Sequence, residues 1–191
     1  VRFYFDTEFL DDGHTIELIS IGIVNEDGLE YYAVNSEFDE QRATEWLQTR
    51  VLNHIPRDFK RKLLCNIRQE VNSFLHGPGR WDQAEAPEIW GWYPAYDWVV
   101  LCQMYGPLVN RPAHFPKRPN DLKQLAEQFP HVQLPRQQGT KHHPLEDAKW
   151  VRDAHNVLRT YEWAREQRRY PYFGEESDNP LTHAPRGATG L

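Results

Sequence analysis

Cysteine, methionine and long apolar runs are scarce in this chain of 191 residues, which has two Cys and one Met. Cys65 and Cys102 lie far apart, which excludes a disulfide-rich scaffold and a Cys-x-x-Cys metal site. Both read as buried thiols in a reducing compartment. No apolar run approaches the roughly 20 residues that a membrane-spanning helix needs. The opening VRFYFDTEF has no charged lead-in, apolar stretch or small-residue cleavage site, so the expectation is a cytoplasmic protein with no membrane contact. An excess of positive charge is missing too: 22 Lys and Arg against 28 Asp and Glu leave −6. That argues against coating duplex nucleic acid through a basic field. It leaves open a nucleic-acid enzyme whose negative charge sits at a metal site.

Aromatic residues are plentiful. Seven Trp, nine Tyr and nine Phe can fill a core that a disordered chain could not build. There is no internal repeat and no low-complexity block. A first strand is expected over 2–6, a second over 15–25 and a third over 29–34, with Asn25-Glu26-Asp27-Gly28 as a turn. In the second strand Ile16, Leu18 and Val24 are assigned to one face and Ile19, Ile21 and Ile23 to the other. Helices are expected over 40–52, 61–75 and 95–105, a fourth strand over 88–92, and loops over 77–87 and 135–142. The proline-rich stretch 106–119 has room for a short fifth strand. Asn120 then caps a helix to about Phe129. Leu145, Ala148, Val151, Ala154 and Leu158 form the buried stripe of a long last helix. The order is that of a mixed α/β fold, one domain over 1–169 followed by a tail or arm over 170–191.

Three acidic segments carry the chemistry. Asp6 and Glu8 are two apart on the first strand and share a face, opposite Phe3 and Phe5. Close carboxylates repel, and a divalent cation with hard oxygen ligands relieves the repulsion. Asp97 follows the fourth strand at a helix start, where the dipole favours a carboxylate even without a metal. His142 precedes the last helix and Asp147 lies in its first turns, so an imidazole and a carboxylate can face one cavity. Each segment alone is as consistent with ordinary structure as with function; together they are not easily explained otherwise.

In this combination the sequence resembles the DEDDh family of 3′-to-5′ exonucleases, over residues 1 to about 168. The first motif matches Asp6 and Glu8, the second Asp97, the third His142 and Asp147; His143 is off the spacing by one. The resemblance implies a ribonuclease H-like fold: a mixed five-stranded sheet, three antiparallel strands first and parallel strands after, flanked by helices. It also implies phosphodiester hydrolysis with two divalent metal ions, Mg²⁺ with Mn²⁺ as a substitute. Asp6 would bridge the ions, Glu8 and Asp147 would complete the nucleophile-side site, Asp97 would serve the leaving-group side, and His142 would take the proton from water. VRFYFDTEF, WGWYPAYDW and HHPLEDAKW further resemble the bacterial polyadenylate-specific 3′-exoribonucleases. That implies single-stranded RNA 3′ ends as substrate, adenylate tails preferred, nucleoside 5′-monophosphates as product, and a homodimer. Where many family members carry Thr-Gly after the first motif, this chain has Phe9-Leu10.

Substrate contacts are expected from the amides of Thr7 and Glu8 and from Phe9 beside the carboxylates. Some of the aromatic cluster around Asp97 should join them, with Trp92 and Tyr96 the candidates. Ser20, like Gly22, is a small residue flanking Asp6, either for close packing or to make room for a base. Two basic runs, Arg57–Lys60–Arg61–Lys62 and Arg165–Arg168–Arg169, are solvated faces or phosphate tracks. The alternatives are a single-stranded DNA exonuclease of repair type and a catalytically silent RNA-binding scaffold; the intact five-residue set argues against the latter. A Ca²⁺-binding adhesion domain fits His142 poorly.

Overall fold

The computed structural model describes residues 1–76 and 87–169. Most of the 77–87 loop and the 170–191 tail lie outside the described residues. β1 (Arg2–Asp11), β2 (Ile16–Asn25) and β3 (Glu30–Val34) form the antiparallel meander, and β4 (Glu88–Gly91) and β5 (Pro119–Asp121) add parallel strands beyond β1. The sheet order is β3-β2-β1-β4-β5. β1 is therefore central, and it extends past the expected Asp6 to Asp11. The carboxylates stand in mid-strand and not at its tip.

Helices cover both faces. α2 (Leu64–His76) and α3 (Ala95–Gln103) pack on Phe3, Phe5, Ile21, Ile23 and Ile89. α4 (Leu122–Glu127) and α5 (Pro144–Arg169) pack on Tyr4 and Val24. A third apolar cluster joins α1 (Glu45–Arg50) to Leu10, Ile19 and Val34. The single helix expected over 40–52 is broken into 3₁₀ turns around this short α1. The second helix begins at Leu64, because Lys62 bridges to Asn35 as extended chain. The cap of α4 is Asp121, whose carboxylate accepts from the Lys123 amide, and Asn120 belongs to β5.

The faces of β2 also differ from strict alternation. Glu8 pairs with Ser20 and Phe9 with Leu18, so Ile19 is an extra residue, a β-bulge. A bulge flips the side-chain alternation beyond it. Leu18 thereby joins Ile21 and Ile23 in the first cluster, and Ile19 joins Leu10 in the third. On the face of β1 that carries Tyr4, Asp6, Glu8 and Leu10, Tyr4 belongs to the α5 cluster and Leu10 to the α1 cluster. Asp6 and Glu8 stand between them, in a seam that apolar packing leaves open.

Candidate active site

Backbone proximity builds the site. Gly22 lies opposite Asp6 in register. A Cβ there would stand 2.2 Å from the Leu145 amide nitrogen, so only glycine lets α5 start this close to the sheet. The first turn of α5 then brings Asp147 to β1. Ligand oxygens of Asp6, Glu8 and Asp147 all lie within 4.8 Å of one another.

Asp97 enters from α3, on the other side of β1. Its Oδ1 accepts from the Thr7 amide at 2.9 Å and from the Thr7 hydroxyl at 2.6 Å. Asp147 is held through both oxygens. The Gln137 amide donates to Oδ1, and the His142 backbone N–H donates to Oδ2 at 3.1 Å. His142 adopts φ +62°, in the left-handed region that non-glycine residues seldom occupy. That conformation directs its backbone N–H to Asp147 while its ring Nδ1 stands 3.9 Å from Glu8 Oε1.

The electrostatics are those of crowded acids. Burial, then Asp97, Asp147 and Glu8 in turn, hold the Asp6 carboxyl well above its usual range. Burial and the charges of Asp147 and Asp97 push Glu8 up to about 8. Burial raises Asp97 against the lowering effect of the Thr7 hydrogen bonds, and raises Asp147 against that of Gln137. A divalent cation would favour the ionised form of each carboxylate and so oppose every one of these shifts. All-oxygen ligands in a partly open seam suit a hard divalent ion and not a structural zinc.

The other expected residues fall at different distances from this centre. The Thr7 amide is engaged by Asp97, which leaves it holding a carboxylate in place of a free contact to substrate. Phe9 stacks on Tyr96, ring centroids 5.9 Å apart and planes within 10°. Tyr96 is exposed and leads into a cavity of about 340 Å³ between α3 and the β1–β2 turn. Ser20 is buried opposite Glu8. Trp92 is not brought to the group: its ring packs edge-on against Trp150, with Lys123 over it, among the α4–α5 residues. In the first basic run Arg61 pairs with Glu40 and Lys62 with Glu70. In the second, Arg165 lies over the Phe129 ring. Three contributors escaped the sequence: Gln137 on Asp147, Trp46 edge-on against the His142 ring, and Tyr32 stacked on His143. None of the three carried a signal in the sequence; in the structure Tyr32 lies opposite Gly22 across the sheet.

Known proteins share this architecture. The nuclease domain of 3′hExo, a DEDDh family member solved with rAMP, aligns with a TM-score of 0.60 over 84% of this chain and 91% of that one, at 12% identity. A 3′-exonuclease solved in a study of 3′-end recognition of histone mRNA stem-loop aligns at 0.58, also 12% identical, over 84% and 81%. The fold is thus that of the DEDDh exonucleases. At the level of sequence, the 3′-5′ exoribonuclease Rv2179c of Mycobacterium tuberculosis (strain H37Rv) is 43% identical over 149 residues, 78% of this chain and 88% of that protein. The model of the Rv2179c-like 3′-5′ exoribonuclease domain matches residues 1–158. The chain belongs to the Rv2179c-like 3′-5′ exoribonuclease family.

Proposed function

We propose that this protein is a metal-dependent 3′-to-5′ exoribonuclease that shortens single-stranded RNA by one nucleoside 5′-monophosphate at a time. The observation that carries the reading is the meeting of the Asp6, Glu8 and Asp147 oxygens within 4.8 Å, with Asp97 close enough to raise Asp6 further. These four would hold two divalent ions, Mg²⁺ or Mn²⁺. Bound there, the ions supply an activated water and charge neutralisation at the phosphate.

The chain's own residues do the rest. Thr7 fixes the oxygen of Asp97 that it binds, and Gln137 and the His142 amide fix Asp147. The His142 imidazole, at the open side of the seam beside Glu8, accepts the proton of the attacking water. Water oxygen bonds to phosphorus as the bond from phosphorus to the neighbouring 3′ oxygen breaks. The shortened strand keeps a 3′-hydroxyl, and the terminal nucleotide leaves with its 5′-phosphate. The Phe9–Tyr96 stack offers an aromatic surface to the terminal bases. Preference for adenylate tails, a homodimeric state and action on RNA over DNA belong to the same reading. The first two rest on the resemblance carried by the VRFYFDTEF, WGWYPAYDW and HHPLEDAKW blocks alone, and the third also on the named relative, a 3′-5′ exoribonuclease.

The test is a time course on four labelled homopolymer RNAs and matched single-stranded DNA, with Mg²⁺, Mn²⁺ or a chelator. Stepwise loss of 5′-monophosphates from RNA, fastest on poly(A) and abolished by chelator, is expected. Turnover in chelator, or cleavage of DNA alone, overturns the reading.

A further inference from the structure

We infer that Trp46 is a positioning residue: its indole holds the His142 imidazole over Glu8. The inference rests on the proposed proton-accepting role of His142. Among the described residues the His142 ring makes no hydrogen bond, and its side chain is 40% exposed. An imidazole so free samples several rotamers, whereas proton transfer from a water needs one orientation held to a fraction of an ångström. The backbone supplies half of the constraint, through φ +62° and the amide bond to Asp147. The other half comes from Trp46, whose ring centroid lies 4.9 Å from that of His142 with the planes at 75°, an edge-to-face pair.

Trp46 has little else to do. It is 51% exposed and stands apart from the cluster of Ala43, Leu47 and Val51 that anchors α1. Its helix is short but well placed: Thr44 caps it by accepting from the Leu47 amide, and Leu47 is buried. The next residue is braced in the same manner. The His143 ring stacks on Tyr32 at 4.5 Å, and the His143 carbonyl accepts from the Asp147 amide at 3.0 Å. Two aromatics from separate elements thus fix two consecutive histidines at the entrance to α5.

The experiment is a double-mutant cycle on kcat, KM and single-turnover cleavage of an RNA oligomer, using folded protein checked by its melting curve. Trp46→Ala is expected to lower kcat about tenfold with KM within about twofold. Trp46→Phe, which keeps an aromatic edge, restores most of the loss, and Trp46→Leu, which keeps only apolar bulk, does not. In a His142→Ala background Trp46→Ala should cost nothing further, since a residue acting through another adds no effect once that other is gone. Three results overturn the inference: unchanged kcat in Trp46→Ala, a rise in KM alone (which makes the indole a base-stacking surface), or additive losses in the double variant. Should Trp46→Ala fail to fold, the contrast between Phe and Leu at this position decides alone. Absence of RNA cleavage by the wild-type protein would instead sink the proposed activity and leave Trp46 out of the question.

Discussion

Asp6 faces three other carboxylates, and all of them oppose its ionisation. Replacing it with Asn removes that repulsion and a ligand together. Asp6→Asn is therefore expected to abolish hydrolysis, with less than about 1% of activity left, while raising the melting temperature of the metal-free protein. Turnover assays and thermal melts in chelator check both halves. Glu8 gives a signed pH dependence. It ionises at 4.5 ordinarily and at about 8 in the metal-free fold. Its contribution to stability is full below the lower value and lost as pH rises through the higher one. Melting temperature in chelator should fall between about pH 4.5 and 8, and Glu8→Gln should flatten the fall. Asp6, Glu8, Asp97, His142 and Asp147 were legible because ligand types recur at motif spacings. Gln137 and Trp46 were not, since an amide in a polar loop and an aromatic on a short helix carry no spacing that points anywhere.

The elements meet where small residues allow. Gly22 admits the start of α5, and Gly22→Ala forces a backbone displacement because Pro144 and Leu145 offer no flexible side chain to yield. Loss of most activity is expected, along with about 1–3 kcal/mol of stability as in other overpacked sites; denaturant melts and turnover measure each. Deeper along the same junction His155 accepts or donates at the Tyr4 hydroxyl, 2.9 Å away, and burial lowers its pKa to about 4 from 6.5. Stability from this neutral imidazole is full above pH 6.5 and lost as pH falls through 4. His155→Phe should remove that acid limb in melts run from pH 7 to 4. The succession of strands and helices along the chain was readable from periodicity and turn residues, while the parallel half of the sheet came only with the family resemblance. The Ile19 bulge was not readable, since a bulge leaves the apolar content of a strand unchanged and alters only its phase. The breaks around α1 were hidden for a related reason: residues three and four apart suit 3₁₀ turns and α-helix alike, so spacing does not separate them.

At the scale of the whole molecule the site is a product of the sheet's two coverings. On the proposed function, cations would bind the folded cluster and not the dispersed carboxylates of an unfolded chain, which links metal and folding. An ion at a hundred times its Kd should add about 2.7 kcal/mol. The melting shift should be larger at pH 8.5 than at pH 6, because more cluster repulsion is there to relieve; calorimetry with and without Mn²⁺ reads it. No helix of the described residues is long and apolar enough to cross a membrane.

The seam between the α1 and α5 clusters has one more consequence, in the order of synthesis. Asp6 and Glu8 precede His142 and Asp147 by more than 130 residues, so they are synthesised well before the last two members of the group. A nascent polypeptide lacking α5 holds half a cluster beside the very message that encodes it. The carboxylate group is therefore complete only once the first turns of α5 have been made. A chain ended at residue 140 should accordingly neither bind Mn²⁺ tightly nor shorten RNA, readable by titration calorimetry and the same labelled strands.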